Sequence, residues 1–118
     1  MNNTDTLKKN YEFKNVLTRG KYYSGKYVDI YISKNKKKIN LIGIAVSTKA
    51  AKAVKRNRIK RLIRENYRLI EKDIEVGNNI LFLWKKKNNI EDATFTNIEK
   101  DIKNIFLKAN LYNNKVGN

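Results

Sequence analysis

The chain of 118 residues contains no cysteine, no histidine and no proline. Without cysteine there is no disulfide and no thiol nucleophile, and without cysteine and histidine together the usual zinc sites cannot form. The lack of histidine also removes the side chain that serves most often in acid–base catalysis. Any catalysis by the chain itself would therefore have to use carboxylates that hold a metal, or Lys, Tyr and Ser.

Acidic residues are scarce as well. The chain has 11 Asp and Glu against 27 Lys and Arg, a formal net charge of +16, while 41% of its residues are apolar. That apolar share is enough for a folded core, but self-repulsion of this size opposes compaction, so we expect a polyanion to neutralise it. Nucleic acid is the leading partner, because counterions are released at every phosphate contacted. An anionic membrane surface is the rival, but it usually requires a basic amphipathic helix without a separate core.

Long apolar runs and linkers are also missing. Runs such as residues 80–84 are too short to cross a bilayer, and residues 1–6 are too polar for a signal peptide. We therefore expect a soluble, cytoplasmic protein with no membrane partner. With no repeat and no Gly/Ser linker, residues 1–118 are predicted to form a single domain, ordered over about residues 7–112 and frayed at residues 1–7 and 113–118.

The first half of the chain changes from helical to strand periodicity. After a possible cap at Asn10, the spacing of Phe13, Val16 and Leu17 predicts a short helix that ends at Gly20. Residues 27–33 then alternate, which predicts a strand with Val28, Ile30 and Ile32 on its core face. The other, wetter face of this strand is predicted to carry three side chains: Tyr27, Asp29 and Tyr31.

A lysine-rich turn at residues 34–38 leads to a second predicted strand at residues 39–46, and the two strands are expected to pair as an antiparallel hairpin. The small residues Gly43 and Ala45 leave room on one face for another group to approach. A long helix at residues 51–72 and a buried strand at residues 80–85 follow.

The last helix is predicted to open with a capping box formed by Thr96 and Glu99. Its apolar stripe consists of Ile98, Ile102, Ile105, Phe106 and Ala109. The order of elements predicts an α+β fold, with helices packed on a small, mostly antiparallel sheet.

The long helix carries an unusual concentration of positive charge, with no acid from Lys49 until Glu65. At 100° per residue, one arc of this helix is mainly apolar: Ile59, Leu62, Ile63, Asn66, Leu69 and Ile70. The opposite, outward stripe consists of Asn57, Arg61, Arg64 and Arg68. Lys60 flanks that stripe, and Arg56 and Arg58 lie to either side of it in the first turn.

A solvated charged face is the ordinary interpretation of such a helix. Two observations favour an external anion instead. Solvated faces usually mix charge signs to gain i, i+4 pairs, which this one does not before Glu65. Cations also cluster at the start of the helix, where the macrodipole disfavours each by about 0.3–1 kcal/mol. We therefore predict phosphate binding, whereas the lysine turns at residues 34–38 and 85–87 are as consistent with solvated loops.

Residues 53–65 (Ala-Val-Lys-Arg-Asn-Arg-Ile-Lys-Arg-Leu-Ile-Arg-Glu) closely resemble the Arg-Asn-Arg signature of the bacterial ribonuclease P protein subunit. Residues 7–10 with Phe13 and Val16 are similar to that family's opening helix, and Arg19-Gly20 follows at the matching place. Residues 43–47 (Gly-Ile-Ala-Val-Ser) resemble the strand before its basic segment. The resemblance covers about residues 7–112, nearly the whole chain.

The resemblance implies a two-layer α–β sandwich with a four-stranded sheet and three helices, in the order αβββαβα with a left-handed crossover. It further implies a protein cofactor of a ribonucleoprotein endonuclease that removes the 5′ leader from precursor tRNA. The RNA subunit is then expected to carry the active site and its Mg²⁺ ions, so that no residue of this chain is catalytic or binds metal. One copy of the protein is expected in the holoenzyme.

The resemblance also assigns site residues by position. Contacts with the RNA subunit and nearby substrate are expected at Arg56, Asn57, Arg58, Lys60, Arg61 and Arg64. The charge pattern of the helix adds Lys52 and Arg68 to this set. The leader-binding cleft is expected to contain Phe13, Leu17 and Tyr31, together with Tyr27 on the same strand face. Leu17 stands where the family often has an aromatic residue, and Thr48 and Ala51 replace a common Lys and Gly. An alternative interpretation is that Phe13 and Leu17 are simply core.

Two other function classes are compatible with the composition. A small ribosomal protein would share the charge and the α+β layout. A carboxylate–metal nuclease would have to use acids such as Glu71, Asp73 and Glu75, which are more simply interpreted as a solvated helix end.

Overall fold

The computed structural model describes residues 3–113, and in that range it contains three α-helices and five β-strands. In chain order they are β1 (Thr4–Thr6), α1 (Asn10–Arg19), β2 (Lys21–Ser24), β3 (Val28–Lys34), β4 (Asn40–Ala45), α2 (Ala53–Ile70), β5 (Asn78–Trp84) and α3 (Phe95–Lys108). Short 3₁₀ turns lie at Glu71–Asp73 and Ile90–Asp92. The α+β class is as predicted.

The strands form one mixed sheet in the order β1-β4-β5-β3-β2. β3 pairs antiparallel with both β2 and β5, whereas β4 pairs parallel with both β1 and β5. The predicted hairpin of β3 with β4 is therefore wrong, because β5 lies between them. The alternating pattern indicated the faces of these strands but could not indicate which strands are neighbours. The most apolar strand, β5, lies at the centre of the sheet, where both of its edges are paired. The sheet is also evenly mixed and not mostly antiparallel.

The fifth strand is β1, which the sequence assigned to a frayed end. Thr4–Thr6 pairs with β4 from Asn40 to Ile42, so the expectation of fraying is wrong for these residues. At the other end, the backbone N–H of Asn113 donates to the carbonyl oxygen of Asp73 at 2.8 Å. The rest of the predicted frayed segment, residues 114–118, lies outside the described residues.

The two faces of the sheet bury different clusters. Helices α2 and α3 cover one face, where the predicted core residues Val28 and Ile30 are fully buried. Helix α1 packs on the other face, where Val16 belongs to a smaller cluster with Leu7, Leu41 and Leu81. This second face is less completely covered, and it holds the candidate cleft.

Helix α2 is rotated slightly from the predicted phase. Tyr67 is fully buried although it was not placed on the apolar arc, while Leu69 was placed there and is 63% exposed. The phenolic oxygen of Tyr67 can be buried because it lies 2.7 Å from Oγ1 of Thr4 and 3.3 Å from Nδ2 of Asn40. The non-local partners on β1 and β4 thus decide the orientation of the last turns.

Helix α3 begins earlier than predicted. Its N-cap is Thr94, whose side chain accepts a hydrogen bond from the N–H of Asn97, so the predicted capping box at Thr96 and Glu99 is wrong. The predicted apolar stripe is confirmed: Ile98, Ile102, Ile105 and Phe106 are buried, and Ala109 packs against them.

Candidate nucleic-acid interface

The outward stripe of α2 lies where the sequence predicted it. Asn57, Arg61, Arg64 and Arg68 are all exposed, and the opposite side of the helix is buried through residues such as Ile59 and Ile63. The ion pairs found among residues 3–113 join Lys8 to Asp5, Lys85 to Asp29 and Lys103 to Glu99. No basic residue of α2 takes part in them, so the charge of this stripe is not neutralised within the described chain.

The other predicted contact residues on α2 are not equivalent. Lys52, at the N-cap, and Arg58 are exposed, and Lys60 is half-buried. Arg56 is also half-buried, and its Nη1 donates to the carbonyl oxygen of Ala51 at 2.7 Å. Arg56 therefore also fixes the loop that leads into the helix, while the remaining cations are available to an external partner.

The second face of the sheet carries a row of residues that runs across four strands. Gly43 on β4 is the Cα partner of Leu81 on β5, which pairs with Tyr31 on β3, which pairs with Tyr22 on β2. We call these four residues the cross-strand row. The rings of Tyr31 and Tyr22 are in contact, with centroids 5.0 Å apart and planes at 45°.

Phe13 of α1 lies over the Gly43 end of this row. A Cβ atom on Gly43 would come within 2.6 Å of Cε1 of Phe13 and 3.0 Å of Cδ1 of Leu7. The room predicted beside Gly43 is thus filled by these two side chains. Phe13 is only half-buried, and Leu17, one turn further along α1, is 44% exposed. The interpretation of Leu17 as core is therefore wrong, and Phe13 is core on one side only.

Tyr27 does not share this face, although the alternating pattern placed it there. Its ring stacks on Trp84, with centroids 6.2 Å apart and planes at 11°, and it packs against the core beneath α2 and α3. The cause is Asp101 on α3, whose buried carboxylate accepts hydrogen bonds from the backbone N–H groups of Lys26, Tyr27 and Val28. This clamp holds Tyr27 in the turn before β3, where the strand alternation does not yet apply.

The basic stripe and the sheet face meet at one cleft. Its lining includes Arg64 of α2 and Phe13 of α1, together with Thr6, Leu7 and residues 42–44 of β4. β1 ends at Thr6, so the outer edge of β4 beyond Ile42 is not covered by a strand, and Arg64 borders it. The two surfaces predicted separately from the sequence are therefore contiguous.

The acids that a metal-dependent nuclease would need are not assembled in the described part of the chain. No group of three or more Asp or Glu residues within residues 3–113 is placed to hold a metal ion, and Glu71 accepts a hydrogen bond from the backbone N–H of Asn3. Nor does any helix in this range have the length and apolar character needed to cross a membrane.

The sequence interpretation missed Tyr22 and Leu7 as parts of this surface. Tyr22 could have been found, since an aromatic residue next to a predicted strand is a candidate for pairing. Leu7 could not, because its burial depends on the non-local pairing of β1 with β4.

Comparisons with known proteins agree with this architecture. The family model described as Ribonuclease P matches residues 1–110. The ribonuclease P protein component of Clostridium botulinum (strain Loch Maree / Type A3) is 43% identical over 108 residues, covering 91% of this chain and 96% of that protein. The ribonuclease P protein component of Clostridioides difficile (strain 630) is 43% identical over 111 residues, covering 93% and 96%.

Solved structures give the same result. The RNase P protein of Staphylococcus aureus superposes with a TM-score of 0.80 at 28% identity, over 92% of this chain and 97% of that one. The RNase P protein of Thermotoga maritima superposes with a TM-score of 0.78 at 25% identity, over 87% and 96%. The similarity thus extends over the sheet and the helices on both of its faces.

Proposed function

Because the chain belongs to the ribonuclease P protein family, we propose that its two contiguous surfaces hold the two RNAs of that ribonucleoprotein. The stripe on α2 binds the catalytic RNA subunit, and the cleft on the second sheet face binds the 5′ leader of precursor tRNA. The observation that supports this division is the shared cleft, which is lined by both Arg64 and Phe13.

The chain is a protein cofactor in tRNA 5′-end maturation, one component of an endoribonuclease ribonucleoprotein. We assign the cleavage chemistry to the RNA subunit and to Mg²⁺ ions bound by that RNA. This assignment is supported by the composition, since the chain has neither histidine nor cysteine. No residue of the chain is given a catalytic or metal-binding role.

Contacts with the RNA subunit are assigned to the exposed cations of α2 and their neighbours. Guanidinium groups bind phosphates through paired N–H donors, and each phosphate neutralised releases counterions. The unpaired charge of the stripe supports this role because no acid of the described chain forms an ion pair with it. The residues are Lys52, Arg56, Asn57, Arg58, Lys60, Arg61, Arg64 and Arg68.

Leader binding is assigned to Phe13, Leu17 and Tyr31. Phe13 and Tyr31 are half-buried aromatic residues on one sheet face, and rings held in this way stack on bases without reading their sequence. Leu17 contributes exposed apolar surface but no flat ring. Tyr27 is left out of this set because its ring stacks on Trp84 at the other core.

The chain acts as one RNA-binding domain, with one copy in the holoenzyme, and it works in the cytoplasm. The location follows from the proposed partners, because both RNAs are expected in the cytoplasm. The copy number follows from the two adjacent surfaces, because a single copy can contact both RNAs. A small ribosomal protein is the alternative, and the family match does not favour it.

The test is reconstitution with the RNA subunit of the same organism. Two affinities are measured for each variant: that of the protein for the RNA subunit, and that of the holoenzyme for precursor tRNA relative to mature tRNA. Phe13→Leu keeps apolar bulk but loses the ring, so it is expected to reduce only the preference for precursor. Arg61→Ala is expected to weaken binding of the RNA subunit.

Equal behaviour of these two variants would contradict the division of roles. Stable association with ribosomal RNA in place of the RNA subunit would support the ribosomal alternative. Leader cleavage by the purified protein with Mg²⁺ and no RNA subunit would overturn the assignment of the chemistry to RNA.

A further inference from the structure

The outer end of the cross-strand row is an exposed aromatic side chain, Tyr22 on the edge strand β2. Tyr22 is 49% exposed, and its ring contacts the ring of Tyr31 across the strand pair. The inner end of the row, Gly43, lies under Phe13. The row therefore spans the sheet from the cleft beside Arg64 to the far edge, buried at Gly43 and Leu81, half-buried at Tyr31 and exposed at Tyr22.

We infer that Tyr22 is a further leader-binding residue, and that the single-stranded leader runs over this face from Phe13 past Tyr31 to Tyr22, where a base stacks on the tyrosine ring. This inference rests on the proposed function of the cleft. It extends that cleft by one strand and so sets how many leader nucleotides the protein holds.

The position of Tyr22 suits stacking. Its backbone is fixed by the pairing of β2 with β3, and contact with the ring of Tyr31 restricts its rotamers. A ring that is held on one side and open on the other offers a flat surface to any base. The next residue, Tyr23, points to the opposite face and packs on the main core, so a change at Tyr22 leaves that core untouched.

Charge around Tyr22 also favours a polyanion. The segment from Phe13 to Val28 contains no acid and has four exposed cations. Lys14 and Arg19 belong to α1, which packs on the same face of the sheet as Tyr22. Lys21 and Lys26 lie instead over the rings of Tyr23 and Tyr27, on the side of the main core. On the same sheet face, Asp29 of β3 forms an ion pair with Lys85 at 3.3 Å, and Lys85 also donates to Oγ of Ser24 on β2. The leader backbone can therefore pass Tyr31 and Tyr22 without meeting an unpaired carboxylate on β3.

Another exposed tyrosine provides a matched control. Tyr11, in the first turn of α1, is 61% exposed, but its ring pairs with no other aromatic ring among residues 3–113. Lys9 lies over that ring instead, with Nζ at 5.9 Å from its centroid. Removal of Tyr11 thus tests whether any surface tyrosine affects RNA binding.

The experiment uses the holoenzyme reconstituted with its RNA subunit, and precursor tRNAs with leaders of increasing length that carry 2-aminopurine at successive positions. Tyr22→Thr keeps a β-branched residue in the strand but removes the ring. We expect this variant to bind long-leader precursor about fivefold more weakly or worse, which corresponds to the loss of one stacked base. Short-leader precursor, mature tRNA and the RNA subunit should bind as before.

Two further observations are expected. Quenching of 2-aminopurine should be lost at one leader position in Tyr22→Thr. Tyr22→Phe, which keeps the ring, should restore both quenching and affinity, and Tyr11→Ala should behave like the unsubstituted protein. If Tyr22→Thr lowers the melting temperature, Tyr22→Leu replaces it and the same results are expected.

The outcomes separate the inference from the function on which it rests. If Tyr22→Thr binds every precursor normally while Phe13→Leu does not, the inference is wrong and the cleft stands. If both bind normally, the cleft itself is wrong. A loss that is equal for mature tRNA and precursor would also overturn the inference, because Tyr22 would then act outside leader binding.

Discussion

The hydroxyl groups of Thr4 and Tyr67 lie 2.7 Å apart, and this hydrogen bond joins the first strand to the basic helix. Tyr67 is fully buried on the inner side of α2, whose outer side carries the arginine stripe. Asn3 adds a second link, from its backbone N–H to Oε2 of Glu71 at 3.2 Å. The N-terminal strand therefore helps to fix the helix that we assign to the RNA subunit.

Replacing Tyr67 with Phe should lower the free energy of unfolding by about 1 kcal/mol, because the hydrogen bonds to Thr4 and Asn40 are lost while the ring remains. Urea titration measures the change. Thr4→Val removes the partner hydroxyl, and the double variant should cost less than the sum of the two single changes. Additive costs would show that the two hydroxyl groups do not interact.

The same substitution should change the response to alkali. Burial raises the pKa of Tyr67, and the hydrogen bonds from Thr4 and Asn40 oppose that shift only in part. A tyrosine whose pKa is raised in the folded state contributes to the free energy of unfolding below its unfolded pKa of about 10. This contribution is lost as pH rises through the folded pKa. Above about pH 10, the melting temperature of Tyr67→Phe should therefore fall less steeply with pH than that of the unsubstituted protein.

Gly43→Ala should disturb both stability and leader binding. The added Cβ would lie 2.6 Å from Cε1 of Phe13, so the ring must move. We expect a loss of about 1–3 kcal/mol in unfolding free energy, as for other overpacked sites, and weaker binding of precursor tRNA. In a Phe13→Leu background the clashing ring atoms are absent, and the cost of Gly43→Ala should shrink; an unchanged cost would mean that Phe13 is not what excludes the methyl group.

Glu12 should make the start of α1 sensitive to acid. Its Oε1 accepts hydrogen bonds from the backbone N–H groups of Lys8 and Lys9, both at 2.8 Å, and the bond from Lys9, followed by that from Lys8, lowers the pKa of Glu12. A lowered pKa gives stability that is present above the unfolded value of about 4.3 and is lost as pH falls through the folded value. The difference in melting temperature between Glu12→Gln and the unsubstituted protein should be constant near neutral pH and shrink in acid. A difference that persists in acid would mean that the charge of Glu12 is not responsible.

Arg61→Ala and Arg64→Ala should each weaken RNA binding almost equally for all sequences. Both side chains are exposed on the stripe, and a lost phosphate contact reduces the slope of log affinity against log salt concentration by about 0.7–0.9. Binding isotherms at several salt concentrations measure this slope. Lys100→Ala, an exposed charge on α3, is the control and should leave the slope unchanged; equal slopes for all three variants would remove the stripe from the interface.

Much of the local structure could be predicted from neighbouring residues. The helical spacing of Phe13, Val16 and Leu17 and the stripe on α3 follow from periodicity, and the exposure of Arg61 and Arg64 follows from the same geometry. The position of Tyr27 could not, because it depends on hydrogen bonds to Asp101, which is 74 residues away. The start of α3 was also not predictable, because Thr94 and Thr96 are both suitable N-cap residues. Only the packing of the helix selects Thr94.

The sequence by itself determined the charge, most of the buried and exposed faces and the family, since these depend on residue types and short spacings. The tertiary structure decided which strands are neighbours, because an alternating pattern does not specify a partner strand. In the folded chain, β5 lies between β3 and β4 and pairs with both. It also decided that Arg64 and Phe13 line one cleft and that the ring of Tyr22 contacts that of Tyr31. Arg64 and Phe13 belong to helices on opposite faces of the sheet, and only the folded chain brings them to one cleft, whereas Tyr22 and Tyr31 meet through the pairing of consecutive strands.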